Sequence, residues 1–244
     1  MLITVINPNT SWDMTGSIEW SAREVAGPDT VIRAVCPVMG PASIESHYDE
    51  TLAVPGVLAE IAVGEEVGAD GYVIACFGDP GLDAARELAT GPVVGVAEAA
   101  MHAASFLGRG FSVVTTLART CGRAWDLADR YGMRQFCLGV HACDIPVLEL
   151  DGNPAAVKTI TEACRTALDT DGSDAIVLGC AGMSTLCAEI SAELGVPVVD
   201  GVQAALLTVQ SLVTMGLRTG SRGEFAPPGA KPYSGILRDF GTGR

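Results

Sequence analysis

Three things are scarce in this chain of 244 residues: long apolar runs, positive charge and histidine. No stretch approaches the ~18 uninterrupted apolar residues that a spanning helix requires, so membrane insertion is not expected. Fifteen Lys and Arg stand against 29 Asp and Glu, a formal charge of −14. That balance works against nucleic acid and anionic membranes, both of which need clustered cations to neutralise phosphates, and leaves a small molecule as the expected partner. Nucleotide loops are missing too, since neither G-x-G-x-x-G nor a Walker A pattern follows any apolar run. The G-x-S-x-G elbow of a serine hydrolase is absent as well. Among the three histidines, His141 lies near Cys137 and Cys143, but there is no Cys-x2-Cys pair and no second cluster. No metal site and no cofactor are expected. The opening Met1-Leu-Ile-Thr-Val-Ile-Asn7 lacks the basic segment and cleavage site of a secretory signal and reads as a first strand, which predicts a cytoplasmic protein.

What the chain does have is apolar content, 48% of its residues, enough for a sizeable core without staples. The eight cysteines are not expected to form a disulfide framework in a reducing compartment. Apolar, β-branched runs at Leu2 to Ile6, Tyr72 to Ala75, Val93 to Val96, Phe111 to Thr115, Ala175 to Leu178 and Val196 to Val199 read as buried parallel strands. Helical stretches lie between them, at Val54 to Val67, Ala84 to Ala89, Ala156 to Leu168 and Ser184 to Leu194. The alternation predicts an α/β fold.

An internal repeat sharpens this. Asp70-Gly-Tyr-Val-Ile-Ala-Cys76 is echoed by Asp174-Ala-Ile-Val-Leu-Gly-Cys180, and Gly91-Pro-Val-Val-Gly-Val96 by Val196-Pro-Val-Val-Asp-Gly-Val202. Pro92 follows Cys76 by 16 residues and Pro197 follows Cys180 by 17, and each copy continues into a pair of alanines. Val-rich strands resemble one another by chance, but an ordered coincidence of Cys, Pro-Val-Val and Ala-Ala is harder to obtain. The expectation is two similar Rossmann-like lobes with parallel sheets, 1–100 and 101–207, and a site in the cleft between them. The linker should fall near Gly108-Arg-Gly110, and the segment 208–244 should pack back on the first lobe.

Cys76 and Cys180 then occupy equivalent strand ends, where open α/β sheets place their ligands. Any single cysteine is usually a small buried hydrophobe, and Cys36, Cys121, Cys137, Cys143, Cys164 and Cys187 are read so. The repeated pair is different. If a pseudo-two-fold axis relates the lobes, the two thiols lie on opposite faces of whatever binds between them. One thiolate then removes a proton from a stereocentre and the opposite thiol delivers one, which is the geometry of racemisation. A following helix N-terminus should lower the thiol pKa toward neutrality and offer amides to an anion. Phe77, Gly78, Ala181 and Gly182 beside the cysteines, Asn7 and Ser43 in the first lobe, and Thr115 and Thr116 in the second are the expected substrate contacts. Asn7 also has a plainer reading, a turn leading into a helix cap. A two-lobed binding protein without catalysis is the alternative of another class.

Ile6-Asn-Pro-Asn-Thr10, Pro41-Ala-Ser-Ile-Glu-Ser-His-Tyr-Asp-Glu50, Ile74-Ala-Cys-Phe-Gly-Asp-Pro-Gly-Leu82 and Leu178-Gly-Cys-Ala-Gly-Met183 resemble the aspartate/glutamate/hydantoin racemase superfamily, in its hydantoin and allantoin branch. The resemblance implies two pseudo-symmetric lobes, no cofactor, catalysis by Cys76 and Cys180, and a homo-oligomer. Amino-acid racemases of the superfamily follow the first cysteine with an Asn-Thr type pair that binds carboxylate. Phe77-Gly78 stands there instead, which argues for a flat, neutral ring. Cys76-Phe-Gly-Asp-Pro-Gly-Leu82 and Val96-Ala-Glu-Ala-Ala-Met-His102 are more similar to allantoin racemases than to enzymes for 5-substituted hydantoins, which remain the alternative substrate class. His47 and His102 belong to the resemblance without a catalytic role.

Overall fold

The structure, a computed structural model, describes residues 1–150 and 153–241. Strands β1 (Leu2–Ile6), β2 (Val31–Val35), β3 (Gly71–Ile74) and β4 (Val93–Gly95) form one sheet in the order β2-β1-β3-β4. Strands β5 (Phe111–Thr115), β6 (Cys137–Ala142), β7 (Ala175–Gly179) and β8 (Val198–Val199) form a second, in the equivalent order β6-β5-β7-β8. Every pairing is parallel. The α/β architecture with two repeated lobes is therefore as expected. The central strands β1, β3, β5 and β7 are buried on both faces, which is why they read as unbroken apolar runs.

Strands β2 and β6 were not anticipated. Each is an edge strand and each carries polar or exposed residues, Val31 and Arg33 in one, Leu138 and His141 in the other, so the apolar signal is diluted. Helix α2 (His47–Glu66) begins seven residues before the expected start at Val54. Its true cap is Ser46, whose hydroxyl accepts from the Asp49 amide at 3.1 Å and donates to the Asp49 carboxylate at 2.7 Å. Pro55 sits inside the helix.

Each sheet is covered on both faces. On the first, α2 and α3 (Leu82–Leu88) cover the outer face through Val57, Ile61, Leu82 and Ala85. On the second, α6 (Pro154–Asp171) and α7 (Cys187–Leu194) do so through Ile160, Cys164 and Ile190. The inner faces are covered crosswise. Helix α4 (Val96–Ser105) leaves the first sheet and buries Ala97, Ala100, Met101 and Ala104 against Phe111, Val113 and Val177 of the second, beside α5 (Cys121–Arg130). Helix α8 (Gly201–Thr214) leaves the second sheet and buries Val202, Ala205, Leu206 and Val209 against Ile3, Val5 and Val73 of the first, beside α1 (Trp12–Val25). The two helices begin side by side. A Cβ on Gly201 would lie 2.8 Å from the Val96 carbonyl, so glycine permits that approach.

The positions 100/101 and 207/208 expected to separate the lobes thus fall inside α4 and α8. The chain has already reached the second sheet with α4, and the anticipated Gly108-Arg-Gly110 falls in the turn between α4 and β5. Beyond α8, Thr219 donates to the Gly91 carbonyl at 2.5 Å, and two short 3-10 turns, Gly223–Phe225 and Gly235–Phe240, follow. The last part of the expected tail, 242–244, lies outside the described residues. No helix among the described residues is long and apolar enough to cross a membrane.

Candidate active site

The carboxyl ends of β1, β3, β5 and β7 converge on a cavity of about 190 Å³ between the lobes. Its lining includes Asn7, Cys76, Phe77 and Gly78 from the first lobe and Thr115, Thr116, Cys180, Ala181 and Gly182 from the second. Ser43 is not part of it. The segment containing Ser43 does reach the cavity, but through the next residues, Ile44, Glu45, Ser46 and His47. Glu45 ties that segment to the second lobe by accepting from the Val147 amide at 2.7 Å. The remaining cysteines lie outside the lining, five of them buried and Cys121 half-buried.

Neither reactive-looking cysteine stands directly before an α-helix. Cys76 opens a tight turn, Phe77 to Gly81, with the Asp79 amide bonded to the Cys76 carbonyl at 2.9 Å, and α3 starts only at Leu82. Cys180 caps a 3-10 turn, Ala181–Leu186. The expected drop in thiol pKa is therefore corrected. Burial pushes the Cys76 thiol up to about 12, against a partial opposing effect from a hydrogen bond with the Gly78 amide. The neighbouring Cys180, Asp79 and Glu50 add to the rise, because each disfavours a second negative charge. Cys76 is still partly open to the cavity, so a ligand reaches it even though bulk water scarcely does.

The polar lining divides by whether its hydrogen bonds are already used. Asn7 Nδ2 donates to Asn9 Oδ1 at 2.8 Å and to the Ser11 carbonyl and Thr15 Oγ1, both at 3.1 Å, so its amide holds the turn that leads to the Ser11 cap of α1. Thr115 Oγ1 pairs with Thr120 Oγ1 at 2.9 Å and with the Gly179 carbonyl at 3.3 Å. Thr116 lines the cavity, and its hydroxyl makes no hydrogen bond among the described residues. Arg119, also in the lining, is exposed and has no ion-pair partner among them.

Sequence reasoning missed Glu50, Arg119 and Arg123. Glu50 and Arg123 form an ion pair of 2.6 Å across the cleft, and Arg123 Nη2 donates to the Gly78 carbonyl at 2.7 Å. Burial raises the Glu50 carboxyl, with Arg123 and then His47 opposing that rise. Arg119 lies in a short 3-10 turn before α5 and Arg123 in the first turn of α5, so no helical periodicity marked them as a pair. His47 sits at the rim, whereas His102 lies on α4 with Nδ1 2.7 Å from the Glu98 carbonyl, away from the cavity. Cys137, His141 and Cys143 do not converge: His141 Nε2 meets Asp171 at 2.7 Å and each thiol faces a backbone carbonyl. Among the described residues no three His, Cys, Asp or Glu side chains are placed to hold a metal.

Two pseudo-symmetric lobes facing one small cavity, with a cysteine at the matching end of each central strand, set the frame for comparison with known proteins. The family model described as Asp/Glu/hydantoin racemase matches residues 3–209. The chain belongs to the Asp/Glu/hydantoin racemase family. Within this family, a hydantoin racemase from Pseudomonas sp. (strain NS671) is 46% identical over 242 residues, covering 99% of this chain and 97% of that protein. The solved allantoin racemase from Klebsiella pneumoniae is 54% identical, with a TM-score of 0.96 and 98% of both chains covered. The allantoin racemase structure from Pseudomonas fluorescens is 38% identical, with a TM-score of 0.93 over 96% of this chain and 100% of that one. This protein is an isomerase, a racemase of the hydantoin/allantoin type acting on a small molecule. The non-catalytic alternative falls away.

Proposed function

We propose that this racemase inverts the C5 stereocentre of allantoin by proton transfer between Cys76 and Cys180, without a cofactor. The observation that carries the reading is the meeting of the two thiols, from equivalent strand ends of the two lobes, in one cavity. A thiolate on one face takes the C5 proton and the opposite thiol delivers another, so the bound enantiomer decides the direction. The C5–H is acidified by the adjacent carbonyl and ring nitrogen. As it breaks, charge moves to the carbonyl oxygen, where amides near Gly78 and Gly182 are the donors at hand. A high thiol pKa makes the thiolate scarce but a stronger base once formed. The neighbouring Cys180 sulfur disfavours a second negative charge at Cys76, which suits an exchange in which one of the two is protonated.

Allantoin carries a polar ureido group on C5, and the free Thr116 hydroxyl and unpaired Arg119 are suited to it. An apolar substituent would leave such groups unmet, at a cost of about 1–3 kcal/mol, or roughly ten- to a hundredfold in specificity. A second reading, a racemase for 5-substituted hydantoins, is favoured by the apolar part of the lining, Met14, Ile44, Phe77 and Val147, and by the 46% identical hydantoin racemase. The test follows optical rotation of enantiopure allantoin and of 5-benzylhydantoin. We expect the higher kcat/KM for allantoin, and losses of at least ~100-fold in Cys76→Ser and Cys180→Ser with the fold retained. A preference for the benzyl compound would transfer the protein to the second reading. Parent-like racemisation by either serine variant would end the two-thiol scheme.

A further inference from the structure

Glu50 comes from α2 of the first lobe and Arg123 from α5 of the second, and they meet beside Cys76. The guanidinium that pairs with Glu50 also donates to the Gly78 carbonyl at 2.7 Å. Gly78 is the residue whose amide faces the Cys76 sulfur. Glycine leaves φ and ψ unrestricted, so the two peptide planes flanking Gly78 are held from outside, one by its amide toward Cys76 and the other by its carbonyl on Arg123. The Glu50 carboxyl packs on the same residue: a Cβ on Gly78 would lie 3.5 Å from it.

We infer that Glu50 and Arg123 are positioning residues for the Cys76 thiolate: Arg123 anchors the Gly78 turn from the opposite lobe, and Glu50 holds Arg123 there. This deepens the proposed use of Cys76 as an acid/base group and rests on it. Glu50 opposes a thiolate at Cys76, and Arg123 offsets that carboxylate. The groups acting on Cys76 are Asp79 from its own turn, Cys180 from the second lobe and Glu50 from α2, with Arg123, His47 and Asp126 flanking Glu50. Remove Arg123, and an unopposed carboxylate and a loosened amide both disfavour the thiolate. Remove the Glu50 charge, and an unopposed guanidinium favours it. A pair that merely clamped the lobes would affect stability but not move the thiol in opposite directions.

The experiment uses the full chain and two readouts. The first is the pH dependence of Cys76 carbamidomethylation by iodoacetamide, followed by peptide mass spectrometry. The second is the pH profile of allantoin racemisation. For Arg123→Gln we expect about tenfold slower alkylation at pH 8 and kcat lowered at least tenfold with KM changed less than threefold. For Glu50→Gln we expect alkylation about tenfold faster at the same pH. Arg123→Lys, which keeps the charge, should recover most of the alkylation rate. Alkylation rates unchanged in both glutamine variants, or moved in the same direction, would overturn the inference, even if thermal stability falls. Alkylation does not depend on the substrate, so opposite shifts in a protein that leaves allantoin untouched would sustain this inference while the substrate reading failed.

Discussion

The two lobes solve one local problem with different residues. Where β4 runs into α4 and β8 into α8, a buried carboxylate caps the helix. In the second lobe it is Asp200 at the cap itself, accepting from the Val202 amide at 2.7 Å and the Gln203 amide at 3.3 Å, with Ser184 at 2.9 Å and Ser21 at 2.5 Å also donating to it. In the first lobe the cap is Gly95, and the carboxylate arrives from the cysteine turn. Asp79 accepts from the Ala97 amide at 3.1 Å, the Glu98 amide at 2.9 Å and the Tyr131 hydroxyl at 2.7 Å. The carboxylate has changed places with its neighbour, Gly95 and Asp79 against Asp200 and Ser184, and the helix end is served either way. Only in the first lobe is the cap built into the turn that carries the cysteine, so there the cap and the thiol move together.

The largest expected effect comes from forcing the second arrangement on the first lobe. A Cβ on Gly95 would fall inside the Asp79 carboxyl, so Gly95→Asp alone should lose about 4 kcal/mol or more through overpacking and an unpaired buried charge. Adding Asp79→Gly removes the clash and suits the left-handed φ of 46° at that position. Urea unfolding should show the double variant recovering more than half of the loss. Purely additive losses would mean that the two caps are not interchangeable.

A smaller effect separates the caps by pH. Burial raises Asp79 from 3.8 to about 6, with Tyr131 and the Ala97 and Glu98 amides opposing it. The folded state therefore takes up a proton more readily than the unfolded chain, and this contribution to stability is fully present below pH 3.8 and lost as pH rises through 6. Between pH 7 and pH 4 the parent should gain on the order of 2–3 kcal/mol relative to Asp79→Asn, which cannot titrate. A constant difference across that window, measured by urea midpoints, would show that Asp79 keeps its charge.

The smallest effect contrasts the two strand ends that frame the cavity. Thr116→Val should lower kcat/KM for allantoin by about five- to tenfold, one hydrogen bond's worth, at unchanged thermal stability. Asn7→Ala should instead lower thermal stability, because its amide holds the turn before α1. A loss of stability in Thr116→Val and none in Asn7→Ala would reverse these roles.

The repeat was legible because strand interiors leave a composition signal: Gly71–Ile74 and Ala175–Gly179 are buried on both faces and each run leads to a cysteine, Cys76 and Cys180. The edge strands were hidden by Arg33 and His141. The crossing of α4 and α8 was hidden for another reason, since an apolar helical face states that it will be covered but not by which sheet. The same limit applies at the site. Cys76 and Cys180 stood out as a repeated pair, while Glu50 and Arg123 read as ordinary charges on helix surfaces until the lobes are set face to face. The thiol pKa was misjudged because a nearby helix end was assumed. Five residues of turn separate Cys76 from α3, and burial dominates instead.

The crosswise helices carry a consequence for how the chain comes apart. A cut at Gly108 gives one piece holding the first sheet without α8 and another holding the second sheet without α4, so the inner face of each sheet keeps only α1 or α5 and is partly uncovered. Neither half is a self-sufficient folding unit, although each repeats the other's topology. The two halves should be recovered only when both are present, each lending the other the helix it needs, and the protein is better regarded as an intramolecular dimer that has exchanged arms than as two domains on a hinge.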